Sequence, residues 1–299
     1  MTGLGNLIRR NCRLFFKDKG MFFTSLITPV ILLVLYATFL AKVYRDSFTS
    51  ALPDMFEVSD KLIDATVGGE LFSSLLAVSC ITVAFCSNML IVQDKVNGAR
   101  RDLTVTPVSR SALAMSYYIS TLISTLLVCL IAVGACFIYL AGKGCWYMSG
   151  GDAAAVIADV FLLVMFGTAL SSIINIFLTS QGQISAVGTV VSAGYGFICG
   201  AYMPISQFGD GLQKMLSFLP GTYGTSLLRN HALNGVFDEM QDTGFPQEVV
   251  EGIKDSVDCN LYFFDDKVDT GAMYIILIGS VIVLMGVYIL INVLRKSNR

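Results

Sequence analysis

Apolar residues along this chain gather into long runs, without the spacing of a surface helix or the alternation of a strand. Six runs stand out, at about 21–41, 69–92, 112–141, 153–178, 184–203 and 272–294. A helix needs about 20 apolar residues to cross the hydrocarbon core of a bilayer. The pattern predicts an all-α integral membrane protein with six transmembrane helices. Residues 1–20 follow a different rule. Leu4, Leu7, Ile8, Phe15 and Phe16 share one helical face, with Arg9, Arg10, Arg13 and Lys17 opposite. That is the signature of a helix lying in the membrane interface ahead of the first span. Pro29, inside the first run, is expected to bend its helix.

Composition agrees with the pattern. The chain is 55% hydrophobic and 14% charged, and its mean hydropathy is +0.69. The first run is too long for the apolar core of a cleaved signal peptide and has no small-residue cleavage site, so it reads as a retained span. The charges decide orientation. Segments 1–20, 93–111, 179–183 and 295–299 hold twelve Lys or Arg against three Asp or Glu, while the segments on the other side hold eight against seventeen. Basic loops stay inside, so both termini are expected in the cytoplasm, with a multi-pass protein at the plasma membrane. No repeat or linker divides the chain, and 1–299 reads as one domain carrying an external acidic cap at about 230–271.

Within the runs, small residues fall on stripes. Gly188, Ser192, Gly196 and Gly200 recur every fourth position of the fifth run, the spacing at which helices pack closely in lipid. This stripe is expected to be a helix-packing or dimer surface. Polar positions on the second, fourth and fifth runs, Ser73, Cys80, Ser87, Asn175 and Tyr195, are candidates to line a solute path. Glu70 and Asp159 are expected near the outer ends of their helices, reaching the headgroups.

Enzyme chemistry has little to build on. His231 is the single histidine, and neither HExxH nor a GxxxxGK[ST] phosphate loop occurs. No cofactor or metal is expected in this chain, and nothing suggests a nucleic-acid partner. The eight cysteines form no CxxC pair. Cys145 and Cys259 are both placed outside, where a disulfide is permitted, and the sequence leaves their pairing open.

One polar stretch is set between two apolar runs. QDKVNGARRDLTVTPVSR (93–110) carries four basic and two acidic side chains. The second helix should continue through Gln93, Asp94 and Lys95 until Asn97-Gly98 breaks it. ARRDLTV then forms a short helix, Pro107 ends it, and Ser109 or Ser111 caps the third span. The product is an elbow whose Asp94, Arg100, Arg101, Asp102 and Arg110 are expected to face the cytosol.

This elbow resembles that of the permease subunits of type-2 ATP-binding-cassette exporters, with Asp94, Gly98 and Thr106-Pro107-Val108-Ser109-Arg110 in the matching places. Residues 200–229, GAYMPISQFGDGLQKMLSFLPGTYGTSLLR, resemble a second family stretch through Pro204, Leu219-Pro220, Tyr223 and Leu228-Arg229. One departure is that Arg100 and Arg101 stand where the family usually has a Leu and an acidic residue. The resemblance implies a permease that forms the translocation path as a dimer with a second, identical or homologous, permease subunit. Separate ATPase subunits would hold ATP and Mg and receive the elbow through Asp94, Lys95, Gly98, Arg100, Arg101, Asp102, Pro107 and Arg110. It also implies that a re-entrant helical pair at 204–228 serves as an external gate, with Pro204, Leu219, Pro220 and Tyr223 in it. A non-transporting scaffold or sensor associated with an ATPase is the other reading. The uncharged, largely apolar path candidates lean toward amphiphilic or hydrophobic cargo.

Overall fold

The basic lead and the first apolar run fold as two helices meeting at a corner, α1 (Thr2–Lys17) and α2 (Lys19–Leu35), the second continuing through a π-helical turn at Tyr36–Leu40. The computed structural model describes residues 2–42, 45, 59–264 and 266–297. α1 and α2 are bent by 71°. Asp18 makes the corner: its carboxylate accepts the Met21 N–H at 3.1 Å and caps α2. α2 continues unbroken past Pro29. On α1, Leu7, Asn11 and Phe15 are buried one turn apart, while Leu14 and Phe16 remain exposed.

The second run makes a longer element than its hydropathy predicts. α3 covers Asp60–Ser87, started by Ser59, whose hydroxyl accepts the Leu62 N–H at 3.3 Å. Its first turns look polar because Asp60, Lys61 and Asp64 break the run, yet Leu62, Ile63, Ala65 and Val67 between them are buried. The helix therefore begins at Asp60 rather than near residue 69. After a turn at Asn88-Met89 come α4 (Leu90–Val96) and α5 (Ala99–Val105), then the long helices α6 (Arg110–Gly142) and α7 (Gly150–Phe177). Next is α8 (Gln181–Ile198) and, beyond a 3-10 turn at Ile205–Gln207, the short α9 (Asp210–Leu216). α10 (Pro220–Asp242) and α11 (Gln247–Ser256) precede a hairpin of β1 (Tyr262–Phe263) and β2 (Asp266–Lys267), in which Tyr262 pairs with Lys267. α12 (Thr270–Ser297) closes the chain.

α3 is the centre. α2, α6, α7, α8 and α10 all pack on it, α12 closes against α7 and α10, and α1 lies along α6. Small residues allow the closest approaches: a Cβ on Gly167 of α7 would lie 2.8 Å from Ile81 and 3.2 Å from Ala84 of α3. Outer surfaces are apolar, with Ile131, Ile138 and Ile275 each more than 70% exposed. A bilayer, not water, suits such a face.

Among the described residues, four helices are long and apolar enough to cross a membrane: Asp60–Val96, Arg110–Gly142, Gly150–Phe177 and Thr270–Leu294. Counting the bent pair Gly3–Lys17 and Lys19–Leu35 as one span makes five. The expected sixth, α8, is 18 residues long, but its glutamines, glycines and serines dilute its hydropathy. The expected short re-entrant pair is also corrected. α9 is short, but α10 runs for 23 residues and is buried against α3, α7 and α12. Gate segment and acidic cap therefore share one helix. A Cβ on Gly235 of α10 would fall 1.9 Å from the Tyr147 carbonyl, so only glycine lets that helix pass the α6–α7 loop.

Candidate functional site

The elbow is a rigid projection with an anchored root. Gly98 has φ of +79° and starts α5 in the left-handed region, which explains a glycine there. Ser109 caps α6, accepting the Ala112 N–H at 3.2 Å. Arg101, Asp102, Pro107 and Arg110 are exposed, and Val105 is 83% exposed, an apolar tip facing away from the bundle. Arg100 is half-buried, within electrostatic reach of Tyr117 and Tyr288.

Asp94 corrects the expectation that it faces the cytosol, and Lys95, expected in the ATPase contact, turns into the bundle as well. Asp94 is buried; Arg10 of α1 grips it with two N–H donors at 2.7 and 3.2 Å, and the Tyr117 hydroxyl donates at 2.6 Å. Lys95 turns inward and donates to the carbonyls of Asn175, Ile176 and Leu178 at 2.7, 2.9 and 3.0 Å. The last carbonyls of a helix have no partner within it, and a cation there also meets the negative end of its dipole. Lys95 thus fastens the elbow to the end of α7, and Asp94 fastens it to α1 and α6.

Just above, the helix break at Asn88 is held by side chains. Asn88 is buried; its amide donates to the hydroxyls of Ser171 and Ser172 at 3.0 and 2.9 Å, and Asn175 donates to the Asn88 carbonyl at 3.0 Å. Asn175 therefore fastens the break instead of lining a path. The other path candidates are buried too. Ser73 bonds its own helix at the Glu70 carbonyl, Cys80 faces the Val160 carbonyl, and Tyr195 is stacked against Gly221. Ser87 is 3% exposed. None of the five borders the large groove that the fold leaves open.

That groove, of about 1090 Å³, lies between α2 and α8 with Cys86, Met89 and Gln93 on its floor. Gly188 and Ser192 line it, so half of the small-residue stripe borders open space. The other half packs inside the chain. A Cβ on Gly196 would lie 2.3 Å from the Tyr202 ring, and Gly200, at φ +72°, turns the backbone against Asp258 and Ile205.

At the opposite end, Arg229 of α10 is 1% exposed. It donates to Asp258 at 3.0 Å, to the Ser74 hydroxyl at 3.2 Å and to the Gly200 carbonyl. Asp258 also accepts the Ile205 and Ser206 N–H groups at 2.6 and 3.2 Å. One arginine thus joins α3, the end of α8, the 3-10 turn and the cap. Glu70 lies in its field and is buried, correcting its expected reach to the headgroups. Asp159 is likewise fully buried, accepting from His231 Nδ1 and from the Tyr274 hydroxyl, each at 2.6 Å. Its carboxylate raises the pKa of His231 above the ordinary histidine value. Pro204 is buried, the Tyr223 hydroxyl donates to the Ser217 carbonyl at 2.5 Å, and Pro220 opens α10 beside the exposed Leu219. Cys145 and Cys259 are both buried, free thiols, so the permitted disulfide is not formed.

A family model for ABC-2 type transporters matches residues 2–232, more than half of the 299-residue chain. The chain belongs to the ABC-2 type transporter family. The match takes in α1, the elbow, the groove and Arg229, and stops within α10 before most of the cap. No curated protein matches the chain. As an ABC-2 membrane domain it is a multi-pass permease component without catalytic activity of its own. Sequence reading missed Arg10, Asn88, Tyr117 and Asp258 as partners, because contacts tens of residues apart leave no local mark.

Proposed function

We propose that this chain is the membrane-spanning subunit of an ATP-driven exporter, working as a dimer and driven through its elbow by separate ATPase subunits. One observation carries the reading: an exposed helical tip, Arg101 to Val105, stands on a root bonded to three helices. A loop needed only for topology requires no such anchoring. Force on the tip would pass through Lys95 to α7 and through Asp94 to α1 and α6, and the bonds that pin Asn88 to α7 make the root move with that helix. ATP and Mg belong to the partner, which receives Val105, Arg101, Asp102 and Arg110. The charge asymmetry supports both termini on the elbow side, in the cytoplasm. The segment around Pro204, Leu219, Pro220 and Tyr223 serves as the outer gate, locked by Arg229. The test is reconstitution with the cognate ATPase. Val105→Asp with Arg101→Glu should leave insertion intact and abolish ATPase coupling. Unchanged transport and coupling in that variant would reject the elbow as the contact.

A further inference from the structure

A smaller pocket, of about 290 Å³, opens between the gate segment and the cap. One wall is formed by the 3-10 turn, Gln213 of α9 and the start of α10; the other runs from Asp255 at the end of α11 to Tyr262 of β1. The side-chain donors on these walls are largely engaged by the protein itself. The Ser217, Thr222 and Tyr223 hydroxyls donate to the Lys214, Leu216 and Ser217 carbonyls, and the Gln213 amide to those of Ser206 and Phe208. On the cap side the Asn260 amide and the Tyr262 hydroxyl donate to Asp255 at 2.7 and 3.0 Å. What remains for a ligand is mostly acceptors. Of the two carboxylates, Asp258 is compensated by Arg229, while both groups bonded to Asp255 are neutral. The lysines beside these walls in the chain are turned to other partners: Lys214 lies over the Phe264 ring and Lys254 pairs with Glu251. Such walls suit a ligand that brings both donors and a positive charge, as a primary ammonium does with its three N–H groups. An anion would meet only lone pairs and a like charge.

We propose that this pocket binds a small primary ammonium compound, shared between Asp255 and the hydroxyl oxygens of the opposite wall, and that the ligand ties the gate segment to the cap. The tie rests on reading 204–223 as the outer gate of an exporter; the ammonium site does not. The probe is ethanolamine, with ethylene glycol as its uncharged counterpart, added at pH 7 and constant ionic strength to the intact permease in phosphatidylcholine nanodiscs without ATPase. A hydrogen bond to a charged group corresponds to about tenfold in affinity. Ethanolamine should therefore raise the thermal midpoint saturably, at roughly tenfold lower concentration than ethylene glycol. Asp255→Asn should remove that preference, and Glu248→Gln, which takes an exposed acid from elsewhere on the cap, should leave it intact. Amide exchange should slow over both 205–223 and 258–262. Phosphatidylethanolamine in the nanodisc, without free ethanolamine, separates two sources: protection by the lipid alone identifies a membrane headgroup, and protection by the free amine alone a soluble ligand. Equal responses to ethanolamine and ethylene glycol, or a preference that survives Asp255→Asn, would overturn the site. Slower exchange confined to the cap would overturn the tie. With no ATPase present, these failures reject the ligand or its bridging alone; the exporter reading stands or falls with the elbow variants.

Discussion

At the residue scale, the informative side chains are ionic groups taken out of water. Removing one partner of a buried ion pair costs about 3–5 kcal/mol, because the other charge is left uncompensated. Arg229→Ala strands Asp258 and frees the Gly200 carbonyl, and it should destabilise the purified protein by that order, read as a lower thermal midpoint. Arg229→Lys should recover only part, since an ammonium cannot reach Asp258, Ser74 and Gly200 with one planar fork. His231 gives a pH dependence. Asp159 raises its folded pKa, so its stabilising contribution is complete below the unfolded value of about 6.5 and is lost as pH rises through the raised folded value. Thermal midpoints from pH 6 upward should therefore fall more in the parent than in His231→Gln. Parallel profiles would show that the pair does not titrate in this window.

At the element scale, the elbow and α8 behave as units set by their glycines. Gly98→Val forces a β-branched residue into the left-handed region, at a cost of about 1–2 kcal/mol, and should misdirect α5 without unfolding the bundle. Weaker ATPase association with only a small drop in thermal midpoint, of the size that strain implies, is the expected outcome. Gly196→Leu is different, because Tyr202 occupies the space a side chain would need. Overpacking there costs about 1–3 kcal/mol within a single chain, so the variant should lose thermal stability even at dilutions where the proposed dimer would be dissociated. A stability loss seen only in the dimer would return the stripe to the subunit interface. Lys95→Met should loosen the end of α7, read as faster amide exchange over 175–178, while Lys95→Arg retains part of the protection.

At the scale of the whole molecule, the elbow, α1 and the C-terminal end of α12 gather at one end and the cap at the other. The proposed orientation across the bilayer rests on charge and is open to direct measurement. The native thiols Cys145 and Cys259 are buried, so exposed sites are better reporters. In intact cells an impermeant thiol reagent should label Gln247→Cys in the cap and leave Thr104→Cys in the elbow untouched. Labelling of Thr104→Cys from outside would invert the topology.

Much of this was legible without a structure. Run lengths and the charge asymmetry predict a helical membrane protein, and Gly98, Pro107 and Ser109 predict the elbow, because helix breaks and caps are local chemistry. The same holds for the amphipathic α1. Hydropathy failed where burial comes from protein instead of lipid. The first turns of α3 and all of α10 are too polar to resemble spans, yet they are interior because neighbouring helices cover them. Small and polar residues on a stripe were ambiguous for the same reason: Gly196 packs, Ser192 borders a groove and Asn175 ties a break, although all three share one sequence signature. Whether a charged residue of the elbow meets a partner or the bundle was decided by the distant Arg10, Tyr117 and end of α7. Local sequence determines which helices form and where they stop. Which face of each helix finds a neighbour is a property of the tertiary packing, because that partner lies far away along the chain.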